Sequence, residues 1–345
     1  MRARRGCFRE LLLGIGLGVR VWSFGLLAVA PLWVLGGEKL RLERPMQYFG
    51  MCDASGAVAI SSNLFVAASD EDNILRLYRA DQAGPPLREY DCNGFLELEG
   101  KSLEADLEAG ARLGDRAFWI GSHGRNRIGK QRRNRCCFFA TDIKVVGGEV
   151  RLMPVGKPCK TLLDDLISDP RFGPFHLEEA ARYAPKEFEA LNIEGLSATP
   201  EGHLLIGFRN PVPRRKALLV PLLNPDEVIA GHRARFGAPI LLELGGLGIR
   251  DIAYHEGRYL IIAGSWHGGG PFRLYRWAGP GSEPVPLSVK HLQDYQPEAI
   301  IIYPEKGLRE VQILSDDGTR LIDGVPGKML PDPRRQAFRS FWVVE

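Results

Sequence analysis

Acidic residues recur in this 345-residue chain at a fixed distance from glycine: Glu108 precedes Gly121, Glu194 precedes Gly207 and Asp251 precedes Gly264, each by thirteen positions. Glu298 opens a longer copy, and Ser55 holds the acidic place in a weaker first copy, with Asp53 two residues away. Polar loops follow the glycines: Ser122-His123-Gly124-Arg125, Arg209-Asn210 and Ser265-Trp266-His267, with Ser69-Asp70 and Ser315-Asp316 in the first and last copies. Carboxylates gathered at one point repel unless they are protonated, paired with arginine or neutralised by a cation. Oxygen ligands suit a hard cation, so Glu108, Glu194, Asp251 and Glu298 are candidates to hold Ca²⁺. Arg125 and Arg209, with Ser122 and Asn210, are candidates to bind a small anion such as a phosphate ester, because guanidinium forks hold such oxygens bidentately. His123 and His267 occupy the same loop of different copies and could move protons as general acid and base. A second use of the repeated acids stays open, in which they accept hydrogen bonds from backbone amides of the neighbouring unit and bind nothing.

Residues placed this way need a repeating scaffold. A turn separates acid from glycine in every copy: Ser61-Ser62-Asn63, Gly114-Asp115, Pro200-Glu201-Gly202, Glu256-Gly257 and Pro304-Glu305-Lys306-Gly307. Further apolar or alternating runs follow at 73–79, 135–144, 216–223 and 272–277, and then extended stretches at 87–98, 149–155, 238–244 and 284–289. Four short strands repeated five times predict an all-β, five-bladed β-propeller. Its last unit holds 298–303, 308–314 and 340–344, so 40–48 is the natural strand to complete it and cover an open edge. A two-sheet sandwich explains neither the spacing nor the number of strands. Residues 161–169 and 176–190 have helical spacing, which places a helical insertion at about 160–190 between the second and third blades. In a propeller, the loops before each innermost strand and after each second strand emerge on one face around the channel, which would gather the acids and the polar loops.

Composition bounds the partners. Gly 40 and Pro 24 agree with many turns. The net charge of +3 resides in residues 1–37, where Arg2, Arg4, Arg5, Arg9 and Arg20 face Glu10 alone; removing that +4 leaves −1, which gives no global basic surface for nucleic acid. Arg125, Arg127, Lys130, Arg132, Arg133 and Arg135 lie in a stretch without acids, but lack the interleaved aromatics of a single-strand platform and read as a solvated loop. The basic head before apolar runs at 11–19 and 21–35 predicts a signal peptide or an N-terminal membrane anchor, although Arg20 splits the span. That leaves 38–345 as the folded domain, periplasmic or secreted, touching membrane only through residues 1–37 and expected to be a monomer; a misassigned start would make it cytoplasmic. Cys52, Cys92, Cys136, Cys137 and Cys159 have no metal-ligand spacing and read as small buried hydrophobes with at most one disulfide. There is no phosphate-cradling loop and no GxSxG elbow, and Gly245-Gly246-Leu247-Gly248 precedes a strand where a dinucleotide fingerprint needs a helix.

Four segments, Phe118-Trp119-Ile120-Gly121-Ser122-His123-Gly124-Arg125-Asn126, Leu191-Asn192-Ile193-Glu194-Gly195-Leu196, Leu205-Ile206-Gly207-Phe208-Arg209-Asn210-Pro211 and Gly246-Leu247-Gly248-Ile249-Arg250-Asp251-Ile252, fall in order and closely resemble the bacterial family called domain of unknown function 3616. The likeness runs from about Leu40 to the C-terminus. The Glu-Gly then Trp-Ile-Gly layout is also similar to the esterase-like family related to propeller phytases. The closer family implies a propeller and a ring of loop residues and brings no established activity. Two functions are therefore expected: a metal-assisted phosphoester or ester hydrolase, with Ca²⁺ on the carboxylates, Arg125 and Arg209 on the substrate and His123 or His267 moving protons, or a non-catalytic propeller that binds a ligand or a protein. Ser55 in the acidic place argues against a fivefold metal ring.

Overall fold

A computed structural model describes residues 39–345; the segment read as a signal or anchor lies outside the described residues. The chain is all-β and built from four-stranded groups. After β1 (Lys39–Phe49), the first group is β2 (Ala54–Ser61), β3 (Leu64–Ser69), β4 (Ile74–Arg79) and β5 (Arg88–Asp91). The second is β6 (Leu107–Leu113), β7 (Arg116–Gly121), β8 (Phe138–Val146) and β9 (Glu149–Cys159), and the third is β10 (Asn192–Ala198), β11 (Leu204–Asn210), β12 (Ala217–Leu222) and β13 (Ile240–Leu242). The remaining long strands are β14 (Gly248–His255), β15 (Arg258–Gly264), β16 (Arg273–Trp277), β17 (Val285–Val289), β18 (Pro297–Ile302) and β19 (Glu310–Ser315); a small hairpin, β20 (Leu321–Ile322) and β21 (Val325–Pro326), precedes β22 (Ala337–Val344).

These last strands form one eight-stranded sheet in the order β14-β15-β16-β17-β1-β22-β19-β18. Its halves meet where β1 runs parallel to β17, with Lys39 opposite Ser288 and Leu40 opposite Val289. β1 pairs at greater length with β22, antiparallel, from Arg41 opposite Val344 to Phe49 opposite Ala337, and so covers the edge that the C-terminal group leaves open. First strands pack side by side in a closed circuit: β2 on β6, β6 on β10, β10 on β14, β14 on β18, and β18 back on β2.

Second strands are apolar on both faces because a sheet lies over each face. In β7, Phe118 and Ile120 enter the cluster shared with the third group, while Trp119 enters the cluster shared with the first. The outer strand β9 alternates instead, with Val150 and Leu152 buried and Glu149, Arg151 and Met153 exposed. Two short helices, Leu162–Ile167 and Leu177–Ala180, lie where the insertion is expected, and their Leu162, Leu166 and Leu177 join Phe118, Phe138 and Phe208 in the core. Residues 87–98, read as one extended stretch, are strand only at β5. The Asp91 carboxylate accepts the Asn93 amide at 2.8 Å, and this turn starts a short helix, Asn93–Leu96. The five cysteines of the described residues are free thiols.

Candidate functional site

Near its start, each first strand carries a β-bulge against the second strand, and the unpaired residues are Ser55, Glu108, Glu194, Arg250 and Glu298. A bulge sets two residues against one and re-aims a side chain. The recurrent position is therefore Arg250 in the fourth group and not Asp251, which corrects the register taken from the acid-to-glycine spacing. Contacts run around this ring. Glu194 Oε1 accepts hydrogen bonds from Asn192 Nδ2 at 2.5 Å and from Arg209 Nη1 at 2.6 Å. Its Oε2 lies 3.1 Å from Arg250 Nη1 without hydrogen-bond alignment. Arg250 Nε donates to Glu298 Oε2 at 2.8 Å. Glu194, Arg250 and Glu298 are all buried, and burial, with the Arg209 charge next in weight, pushes the Arg250 guanidinium down to about 10.

Glu108 is left over. It has no hydrogen bond or ion pair among the described residues, and desolvation followed by repulsion from Glu194, Asp106 and Asp70 holds its carboxyl well above the usual range. Next to it lies an acidic side of the ring. Carboxylate oxygens of Asp53, Asp70 and Glu71 come within 4.8 Å of one another. The β2–β3 hairpin produces this meeting, because Ala54 pairs with Ser69 and so brings the residues flanking both strands together. Asp70 Oδ1 is buried without a partner. Asp53 is pushed up to about 7 by burial and then by Asp316, while the cations Lys328 and Arg135 meet this side through Glu71 at 2.9 Å and Asp106 at 2.8 Å. Gly318 is pressed against the Asp53 carboxylate so closely that a Cβ there would overlap its oxygen.

The other residues read as site candidates are occupied elsewhere. Asp251 Oδ1 accepts from the Ile252 amide at 2.8 Å and Oδ2 from the Ile300 amide on β18 at 2.7 Å, so this acid braces two neighbouring groups. Arg125 Nε donates to Ala181 O at 2.9 Å and its Nη1 to Gly129 O at 3.0 Å. Asn210 Nδ2 donates to Glu187 O at 2.8 Å and Pro185 O at 3.2 Å. Both residues hold the helical insertion in place. Ser122 is fully buried, with its hydroxyl accepting the Gly124 amide. His123 is buried with φ +56°; its Nδ1 faces Gly121 O at 2.9 Å and, since a carbonyl only accepts, carries the proton. That leaves Nε2 a bare acceptor without a partner, and Lys160 Nζ is also buried without one. His267 is exposed, with Nδ1 against Gly268 O at 2.8 Å. Of the predicted residues the structure gathers Glu108, Glu194, Glu298 and Arg209, and it leaves the two histidines in unlike surroundings. Arg250 and the Asp53, Asp70 and Glu71 cluster were not read as a unit.

At the far end of the same first strands lies a cavity of about 380 Å³ lined by residues of all five, among them Ala57, Ala111, Ser197, Tyr254 and Ile300. One end of the inner circuit is thus charged and crowded, and the other is open and lined largely by small and apolar side chains.

No curated protein sequence matches the chain. Among solved structures, it is similar to the glutaminyl cyclase of Myxococcus xanthus, with 12% identity over 89% of this chain and 99% of that one and a TM-score of 0.47. It is also similar to the PQQ-bound form of an aldose sugar dehydrogenase from Streptomyces coelicolor, with 10% identity over 88% and 98% and a TM-score of 0.41. Three of the four segments that carry the resemblance lie inside residues 150–294, and that span matches the family described as Protein of unknown function (DUF3616).

Proposed function

We propose that the four-stranded groups are the blades of a five-bladed propeller and that the charged end of its channel binds a small ligand through a divalent cation, Ca²⁺ being the fitting ion. The observation that carries this is the approach of Asp53, Asp70 and Glu71 to within 4.8 Å, with Asp70 Oδ1 buried and unpartnered. Three carboxylates so close repel one another, and a hard cation with several oxygen ligands relieves that repulsion. Glu194, Asp251 and Glu298, read earlier as cation ligands, already have arginine or amide partners. The reading is of binding, since four of the residues expected to serve hydrolysis, His123, Ser122, Arg125 and Asn210, are used inside the fold. Export or tethering through residues 1–37 fits a periplasmic place for such a protein.

The test is a melting experiment on the full chain after chelation, with and without added CaCl₂. A ligand at one hundred times its Kd stabilises by about 2.7 kcal/mol, which for a domain of this size raises Tm by several degrees. The expected result is such a rise in the wild type and none in Asp70→Asn; a wild type insensitive to Ca²⁺ removes the cation site.

A further inference from the structure

The helical insertion brings one more charge to the mouth. Asn210 fixes the carbonyls on both sides of Lys186, those of Pro185 and Glu187, and Arg125 fixes Ala181. Lys186 itself has no hydrogen bond or ion pair among the described residues. Partial burial lowers its ammonium from the usual range, and the neighbouring guanidiniums of Arg209 and Arg250 add to the effect, while Glu194 and Asp316 oppose it. Arg209 reaches the loop after β15, where its Nε donates to Ser265 O at 3.2 Å. A Cβ on Gly268 would stand 3.1 Å from Lys186 Nζ, so the loop after β15 passes close beside it. Of the three cations on this side of the mouth, Arg209 and Arg250 are paired with Glu194 and Glu298, whereas Lys186 has no carboxylate in ion-pair contact among the described residues.

We propose that an oxyanion of the ligand, a carboxylate or a phosphate group, sits beneath Lys186, held by its ammonium and by Arg209, and reaches the cation held at Asp53, Asp70 and Glu71. The mouth is thus a site for a chelated small acid. Arg209 is suited to this because its Nη1 and Nε are directed to Glu194 and Ser265 O, which fixes the guanidinium plane while Nη2 remains to donate. The inference rests on the cation reading for its bridge and on Lys186 for its anion.

The test is calorimetric titration of the full chain with inorganic phosphate and, separately, with acetate, before and after Ca²⁺ is added. Wild type, Lys186→Met and Asp70→Asn are compared. Wild type is expected to bind at least one of the two anions, more tightly with Ca²⁺ than without. Lys186→Met keeps most of the apolar stem, so it is expected to retain the wild-type Tm and its Ca²⁺ shift while losing tenfold or more in anion affinity. Equal affinity in wild type and Lys186→Met, or no binding of either anion at millimolar concentration, overturns the proposal. If Lys186→Met loses anion binding but wild type shows no Ca²⁺ response, the anion site stands and the cation reading falls.

Discussion

Arg250 Nε donates to Glu298 Oε2 at 2.8 Å, which ties the bulge of β14 to that of β18. The same guanidinium lies beside Glu194, so one cation serves two buried carboxylates on either side of it. Removing one partner of a buried pair strands the other charge, at a cost of about 3–5 kcal/mol. Arg250→Met is expected to lose that much in denaturant unfolding, and Arg250→Met with Glu298→Gln to recover part of it. A single variant within about 1 kcal/mol of wild type would show that the pair carries little stability.

Asp251 tests the difference between a brace and a ligand. Asparagine in its place keeps one acceptor and turns an NH₂ group toward the amide of Ile252 or Ile300. An unmet buried hydrogen bond costs about 1–3 kcal/mol, so Asp251→Asn is expected to lower stability by that amount and leave the Ca²⁺ response intact. Loss of the Ca²⁺ shift at unchanged stability would return Asp251 to the cation site.

His123 gives the fold a pH dependence. Burial lowers its folded pKa from 6.5 to about 4, with the Gly121 carbonyl opposing and the Lys160 charge adding to the shift. Above pH 6.5 the ring is neutral both folded and unfolded and contributes nothing to the slope. As pH falls from 6.5 toward 4, the unfolded chain takes up a proton that the folded chain excludes, and stability drops by up to about 3 kcal/mol. His123→Asn, which tolerates the positive φ, is expected to flatten this segment of the profile relative to wild type in chemical denaturation between pH 4 and 7. Parallel profiles for the two proteins would mean that His123 is not the titrating group.

The repeat was legible because a bulge needs the same local geometry each time, and its neighbours left marks in residue type. Gly56 shows the physical reason for one such mark, since a Cβ there would sit 2.8 Å from the Ala109 Cα on the adjoining first strand. Matching by acid alone slipped by one residue in the fourth group. The apolar residue before each bulge keeps register: Leu107-Glu108, Ile193-Glu194 and Ile249-Arg250 align, and the last shows a cation in the acidic place. The Asp53, Asp70 and Glu71 cluster was harder to read, because residues from opposite ends of two strands meet only once the hairpin register is known. Lys186 left no mark in the repeat at all, since it comes from the insertion. The uses of Arg125 and Asn210 were hidden for the same reason, their partners being carbonyls, which carry no residue type.

The pairing of β1 with β22 sets an order on assembly. Phe49 lies opposite Ala337, so nearly the whole chain must be made before the first strand finds its neighbour. Closing a loop of that length carries an entropy penalty on the order of 5 kcal/mol, which the other sheets lower by folding first and bringing the two strands near. This pairing therefore forms late, and until then β1 lacks its antiparallel neighbour. In a cell, that interval is when the young protein is most open to aggregation and to chaperones.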